Sequence, residues 1–157
     1  MANHADERTP LMSQIERFLH YAQEFEKTYK DDDWSRLDVF FADDAVYEVK
    51  NAPFACRVGG RDAIFHAIRK SLNGFDRRMD SRRIELLAPP TQTDDAVQIH
   101  WAVTYTHGDQ PPLRIEARTE ARYQGGKIAY LADDYLDTGG DEGVEWLRQA
   151  GMDPSYV

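Results

Sequence analysis

The first half of the chain carries the hydrophobic pattern of helices. Between Leu11 and Tyr29 apolar residues recur every three or four positions, as on one face of an amphipathic helix. The preceding Thr9-Pro10 can cap and open that helix. The acidic run at 31–33 interrupts the pattern, and Asp33 can cap a second, short helix that carries Trp34, Leu37, Phe40 and Phe41.

A third helix is predicted to follow Gly59-Gly60 and to end at Asn73-Gly74. Its inward residues are Ile64, Phe65, Ile68 and Leu72. Between the second and third helices, residues Ala45 to Lys50 predict a first strand, which the turn residues Asp43-Asp44 precede. A loop through Asn51, Pro53 and Phe54 completes this part of the chain.

In the second half of the chain the period changes from 3.6 to 2, which indicates strands. The predicted strands are Met79–Leu87, Ala96–Thr106, Leu113–Tyr123 and Lys127–Leu136. Proline- and glycine-containing turns separate them, and Gly125-Gly126 predicts a hairpin. The third of these strands alternates strictly. Its two faces read Ile115, Ala117, Thr119, Ala121 and Tyr123 on one side, and Arg114, Glu116, Arg118, Glu120 and Arg122 on the other.

A last short helix is predicted from about Glu142 to Ala150, with Val144 and Leu147 inward. Helices followed by an antiparallel meander indicate an α+β fold. The expected architecture is a long N-terminal helix and two shorter helices on a strongly curved, mixed but mainly antiparallel sheet, with the C-terminal helix added. A twisted sheet wrapped round a long helix encloses a cavity, and such cavities commonly bind small molecules.

Length and charge limit the classes of function. The 157 residues fit a single domain, 1–157, with a core over about 10–138 and a C-terminal helix and tail over 139–157. A net charge of -9 argues against nucleic acid as a partner, so the arginines at 77, 78, 82 and 83 are expected to form a solvated edge. The single Cys56, the polar N-terminal sequence and the lack of a long apolar run favour a cytoplasmic protein without a membrane partner.

Two segments resemble SnoaL-like proteins of the nuclear transport factor 2-like superfamily. Asp33 to Tyr47 is similar to their passage from a short helix through F-A-D-D-A into the first strand. Gly60-Arg61-Asp62-Ala63-Ile64 is similar to the G-R-x-x-I that opens their third helix, and Gly126-Lys127-Ile128 to the G-K-I of their last strand. The resemblance implies the cystatin-like cone fold. Known relatives include ketosteroid isomerases, scytalone dehydratases, limonene epoxide hydrolases, polyketide cyclases and non-catalytic binding modules.

The catalytic positions of the best-understood relatives are not retained. Where the isomerases have their general base, their oxyanion-donating Tyr and their neutral carboxylic acid, this chain has Val49, Phe25 and about Thr119. Tyr29 matches a pocket tyrosine of the dehydratases, but Lys30 replaces the Asp that follows it. These departures argue against steroid-type isomerisation.

The resemblance instead directs attention to the last strand. Cyclase-like members have an acid/base Asp there, and the match points Asp133 and Tyr135 inward. An Asp in an apolar cavity has a raised pKa and exchanges protons near neutral pH. A neighbouring Tyr can donate to a developing oxyanion, and Tyr105 is a second such donor. The alternative is that Asp133 is an edge carboxylate paired with strand arginines.

The predicted function is the binding of a hydrophobic small molecule in the cavity, with cofactor-independent isomerisation, dehydration, cyclisation or hydrolysis by proton transfer. The alternative is a non-catalytic ligand-binding or dimerisation module. The sequence contains no metal-ligand spacing and no phosphate-binding motif, so neither a metal nor a cofactor is expected. The residues expected to contact the ligand are Phe25, Tyr29, Val49, Phe54, Phe65, Trp101, Thr119 and Leu131.

The charged face of the strand Leu113–Tyr123 admits two interpretations. It is either simply solvated, or it forms a self-complementary contact about a two-fold axis. The resemblance favours the second, because these relatives usually dimerise through this face. A homodimer through Arg114, Glu116, Arg118 and Glu120 is therefore expected.

Overall fold

The described part of the chain, residues 13–51 and 55–152 of a computed structural model, contains helices at both ends and in the middle. The α-helices are α1 (Gln14–Asp31), α2 (Arg61–Gly74) and α3 (Gly140–Gln149). Two short 3₁₀ helices cover Trp34–Phe40 and Asp76–Arg78. The helical segments therefore occur in the predicted order.

The helix ends follow local capping chemistry. The Ser13 side chain accepts a hydrogen bond from the Glu16 backbone N–H at 3.1 Å and begins the described part of α1. The start predicted at Thr9-Pro10 lies outside the described residues. α1 ends at Asp32, which has a left-handed φ of 61°. Asp33 then caps the first 3₁₀ helix through the Ser35 N–H, which confirms the predicted cap.

Within residues 13–51 and 55–152 the strands form one seven-stranded sheet. Their bounds are β1 (Phe41–Val49), β2 (Cys56–Gly59), β3 (Ser81–Leu86), β4 (Thr91–Thr93), β5 (Ala96–Thr106), β6 (Leu113–Gln124) and β7 (Lys127–Asp137). The order is β2-β1-β7-β6-β5-β3, with β4 also paired to β5. β1 and β7 are parallel, and the other pairs are antiparallel. The predicted α+β class and the mixed, mainly antiparallel sheet are confirmed.

One local prediction was wrong, and two short strands were not predicted. Asp43-Asp44 does not form a turn but lies in β1, where the register with β7 shifts between Phe41 and Val46, so the extra residues are taken up as a bulge. The loop before α2 contains β2, which pairs with β1. β4 was not predicted either. Strands of four and three residues are too short to show a period in the sequence.

The core lies on the concave face of the sheet. Along β6 burial alternates strictly, with Ile115, Ala117 and Thr119 among the buried residues and the charged face outward. α3 packs into the core through Trp146 and Leu147, which are 7% and 4% exposed and belong to one cluster with Leu113 and Ile115. Val144 was expected inward but is 47% exposed. The buried stripe of α3 runs through positions 143, 146, 147 and 150 instead, one residue away from it.

Candidate active-site cavity

The helices α1 and α2 and the concave face of the sheet enclose a cavity of about 700 Å³. Most of its wall is apolar, and its few polar groups come from different elements. The cavity reaches the surface between α1 and β3, because Leu19, Ile84 and Leu86 line it and are 37%, 42% and 53% exposed. A drug-sized hydrophobic molecule fits a cavity of this size.

Asp133 of β7 lies in the cavity wall and accepts two side-chain hydrogen bonds. Thr119 stands directly opposite it on β6 and donates to Oδ1 at 2.5 Å. Tyr47, on the neighbouring β1, donates to Oδ2 at 2.9 Å. Three adjacent strands therefore hold this carboxylate, and the sheet register sets its orientation.

A third donor fixes the direction of the Thr119 hydroxyl. Trp101 of β5 donates its indole N–H to Thr119 Oγ1 at 2.8 Å. A threonine hydroxyl has one proton and two lone pairs, so an oxygen that accepts from Trp101 directs its own proton towards Asp133. The result is a one-way chain of donors from Trp101 through Thr119 to the carboxylate.

Burial raises the pKa of Asp133, and the hydrogen bonds from Thr119 and Tyr47 partly oppose that rise. Of the ion pairs formed by the described residues, none includes Asp133, so no cation holds it ionised. Burial, and then the nearby charge of Asp133, raises the pKa of the Tyr47 phenol. Tyr47 therefore remains a protonated donor at neutral pH, whereas burial moves the pKa of Asp133 upward from the ordinary value of a carboxyl group.

The two tyrosines predicted to assist Asp133 occupy different places. Tyr135 lines the cavity two residues along β7 from Asp133. Burial is the main cause of its raised pKa, followed by the charges of Asp133 and Asp76, so it lies near both carboxylates. Tyr105 also lines the cavity, but it donates to Asp76 Oδ2 at 2.8 Å and not to Asp133. The tyrosine that donates to Asp133 itself is Tyr47, which the sequence analysis did not name.

Asp76 belongs to a second polar cluster in the same cavity. Arg82 of β3 donates from Nε to Asp76 Oδ2 at 3.0 Å and from Nη1 to Glu26 Oε2 of α1 at 2.9 Å. Burial raises the pKa of Asp76, and the Arg82 charge and the Tyr105 hydrogen bond oppose the rise. Arg82 was expected on a solvated edge, but its side chain is only 11% exposed. Side chains of a strand alternate between its two faces, so Arg82 lies on the same face as Ile84 and Leu86, which also line the cavity.

Five of the residues expected to contact the ligand line the cavity, and they are Phe25, Val49, Trp101, Thr119 and Leu131. Tyr29 does not, because Arg82 and Arg77 cover its ring at 4.6 and 5.6 Å from the centroid. Phe65 does not either, since it packs edge-on against Phe41 in the core. Phe54 lies outside the described residues.

Tyr47, Asp76 and Arg82 are among the polar cavity residues that the sequence analysis did not name. Tyr47 precedes Val49 by two positions, so the assignment of Val49 to the cavity already placed Tyr47 on the same face. The alternation of Arg82 with Ile84 and Leu86 was a similar signal. Asp76 follows a helix end in a short 3₁₀ turn, where an Asp has no distinguishing pattern.

Neither a metal centre nor a membrane span emerges from the described residues. No three of their His, Cys, Asp and Glu side chains come together as metal ligands. Within the same ranges, no helix is both long and apolar enough to cross a membrane.

The fold agrees with comparisons to known proteins. The profile of the SnoaL-like domain matches residues 22–131, and the chain belongs to this family. No curated protein matches the sequence. Among solved structures, Bal32a from a soil-derived mobile gene cassette is similar at 16% identity and a TM-score of 0.61, over 80% of this chain and 93% of that one.

Two further structures are similar in the same way. An NTF2-like protein of unknown function from Exiguobacterium sp. 255-15 has 22% identity and a TM-score of 0.60, over 78% of this chain and 99% of the other. A hypothetical protein from Catenulispora acidiphila has a ketosteroid isomerase-like fold and was solved in complex with trimethylamine. It has 16% identity and a TM-score of 0.59, over 87% and 96% of the two chains. At these identities the likeness establishes the fold alone.

Proposed function

We propose that this protein binds a hydrophobic small molecule in the cavity and moves a proton on it, with Asp133 as the acid/base. The observation that carries the proposal is a carboxylate in an apolar wall, oriented by Thr119 and Tyr47 and lacking a cationic partner among the described residues. Groups with such perturbed pKa values in a cavity are typical of catalytic sites.

The step that this geometry supports is proton abstraction next to a carbonyl group. The carboxylate of Asp133 takes the proton, the carbon–hydrogen bond breaks, and its electron pair moves onto the carbonyl oxygen. In this proposal Tyr135 donates to that oxyanion, and the support for it is that Tyr135 lines the cavity near Asp133. Asp133 then returns the proton to another atom of the same molecule, so the net reaction is an isomerisation and needs no other reactant.

The test uses 2-tetralone, a hydrophobic bicyclic ketone with exchangeable α-protons. Its proton exchange in D₂O is followed by ¹H NMR with wild-type protein, Asp133→Asn and Asp134→Asn. Acid/base catalysis commonly contributes about 100-fold or more, so Asp133→Asn should lose at least that factor. Asp134 is the matched control, because the same change there falls on the opposite face of β7. A wild-type rate in Asp133→Asn would refute the role of Asp133.

A second candidate is a ligand-binding module without catalysis. It is favoured by one observation, namely that both oxygens of Asp133 already accept a hydrogen bond from the protein. In the same experiment, this candidate predicts line broadening of bound 2-tetralone with exchange no faster than in buffer. That result would contradict the proton-transfer proposal and leave the binding proposal intact.

We also propose a homodimer through the outward face of β6. Arg114, Arg118 and Arg122 are exposed there and alternate with Glu116 and Glu120, so a two-fold axis would bring opposite charges together. Arg118 takes part in none of the ion pairs among the described residues, whereas Arg122 pairs with Glu120 within the chain. Sedimentation at micromolar concentration should give a dimer, and Arg118→Glu should weaken it. A wild-type monomer would refute the proposal.

A further inference from the structure

In one corner of the cavity, Arg82 of β3 is connected to three other elements through charged hydrogen bonds. Asp76 comes from the second 3₁₀ helix, Glu26 from α1 and Tyr105 from β5. Arg82 binds both carboxylates, and Tyr105 binds Asp76. This cluster takes no part in holding Asp133, so the proposed proton transfer does not account for it.

The cluster has one hydrogen-bond donor and one acceptor that remain available to a ligand. Arg82 uses Nε for Asp76 and Nη1 for Glu26, and its Nη2 donates to no described residue. Both side-chain donors to Asp76 reach the same oxygen, Oδ2, and no described side chain donates to Oδ1. The backbone N–H of Asp76 also donates to its carboxylate, which still leaves lone pairs for a ligand donor. A ligand group here can therefore accept from Arg82 and donate to Asp76.

The charge of the cluster decides which ligand groups fit. Two carboxylates, Glu26 and Asp76, face one guanidinium, so the formal charge of the cluster is negative. Asp133 adds a further carboxylate to the same cavity. A ligand carboxylate or phosphate would meet like charges in a poorly solvated space, which is unfavourable. A ketone would accept from Arg82 but has no proton to donate to Asp76 Oδ1.

We propose that the Arg82–Asp76 corner is a second recognition site that binds a neutral hydroxyl group of the ligand. The hydroxyl accepts from the Arg82 guanidinium and donates to Asp76. This inference rests on the proposed function, since it assigns a second polar group to the same hydrophobic ligand. The ligand class is accordingly an apolar ring system with a hydroxyl at one end and the reacting carbon at Asp133.

The test compares three probes with one bicyclic skeleton, namely indane, 5-indanol and indane-5-carboxylate. Their dissociation constants are measured at pH 7 by NMR titration of the wild-type protein. A hydrogen bond to a charged group contributes about 1.5–3 kcal/mol, so 5-indanol should bind about 10-fold or more tightly than indane. Indane-5-carboxylate should bind more weakly than 5-indanol. Equal affinities for indane and 5-indanol would overturn the proposal.

Two variants separate this site from the proposed catalytic one. Asp76→Asn should reduce the preference for 5-indanol over indane to less than threefold, whereas Asp133→Asn should retain it. If the preference disappears in Asp133→Asn and persists in Asp76→Asn, the hydroxyl binds at Asp133 and the proposal is wrong. The exchange of 2-tetralone protons is read separately, so the failure of either proposal is distinguishable from the failure of the other.

The wild-type protein gives an independent test in case Asp76→Asn does not fold. The Nε–H resonance of Arg82 is followed by ¹H–¹⁵N NMR during titration with each probe. 5-Indanol should shift it more than indane does, because only 5-indanol places an oxygen against the guanidinium. The same small shift of the Arg82 resonance with 5-indanol and with indane would contradict hydroxyl binding at this corner.

Discussion

Replacing Thr119 by Val tests the chain of donors that holds Asp133. Val has nearly the shape of Thr, so the buried wall of β6 is preserved, but the hydroxyl is lost. Asp133 Oδ1 then has no donor from Thr119, and the Trp101 indole N–H loses its acceptor. Tyr47 still donates to Oδ2, so the carboxylate keeps one partner.

The expected effect is a rise in the pKa of Asp133. A hydrogen bond to a charged group contributes about 1.5–3 kcal/mol, and about 1.36 kcal/mol corresponds to one pKa unit. Loss of the Thr119 donor should therefore raise the pKa of Asp133 by about 1–2 units. The direction follows because the hydrogen bond favours the ionised form and counteracts the rise that burial causes.

The same change predicts a pH dependence of stability. The folded-state pKa of Asp133 lies above its unfolded value, so the folded protein retains the proton to higher pH. The stability linked to Asp133 is fully present below the unfolded pKa and is lost as the pH rises through the folded pKa. In Thr119→Val this loss should continue to higher pH than in the wild type.

Titration of the Asp133 carboxyl carbon by ¹³C NMR measures the pKa directly, and Asp133→Asn assigns the resonance. Thr104→Val is the matched control, because Thr104 lies on the outer face of β5, opposite Arg83 and Arg114, and does not line the cavity. An unchanged or lowered pKa of Asp133 in Thr119→Val would refute the proposed role of the donor chain.

Three further changes test the cavity wall and the packing of α3. Trp101→Phe keeps the ring but removes the donor to Thr119, so NMR titration should find a rise in the Asp133 pKa that is smaller than in Thr119→Val. Asp76→Ala leaves the buried Arg82 without one of its two carboxylates and should lower the free energy of unfolding in urea by about 3 kcal/mol. Gly143→Ala would place a Cβ 2.0 Å from a backbone oxygen and should lower the free energy of unfolding by about 1–3 kcal/mol, measured by thermal unfolding.

Each of these three predictions has a control or a contradicting result. A larger pKa rise in Trp101→Phe than in Thr119→Val would show that Trp101 acts on Asp133 by another route. The control for Asp76→Ala is Glu145→Ala, which breaks an exposed ion pair with Arg148 and should leave the midpoint of urea unfolding unchanged. Gly59→Ala enters open space without a positive φ and should change stability by less than about 0.5 kcal/mol. Equal effects of the alanines at 59 and 143 would contradict the steric argument.

The fold could be predicted from the sequence because its main elements are long and regular. β6 runs for twelve residues with strict alternation, and α1 runs for eighteen with an apolar stripe, so both periods are visible. β2 and β4 are stabilised by the strands they pair with and carry no pattern of their own. Their positions depend on contacts between distant segments, which hydrophobic periodicity does not encode.

The candidate site could be predicted only in part, for a related reason. The period of β7 places Asp133 and Tyr135 on one face, and the structure agrees. Which tyrosine donates to Asp133 depends on the register between β1 and β7, and the bulge in β1 shifts that register. A single-strand pattern does not reveal a register across a parallel pair. Tyr47 therefore became visible as the donor only in the folded structure.

The polar group at Asp133 is better explained by function than by stability. Burying a carboxylate is unfavourable, and the two hydrogen bonds from Thr119 and Tyr47 only offset part of that cost. Replacement of all three side chains by apolar ones of similar shape would be expected to be neutral or stabilising, whereas removal of one donor leaves a buried charge less satisfied. A cavity wall that served only to pack would have no need of this arrangement, and the wall around it is largely apolar. The proposed function would account for it, because it puts a titratable group in contact with a ligand, and the exchange assay on Asp133→Asn tests this directly.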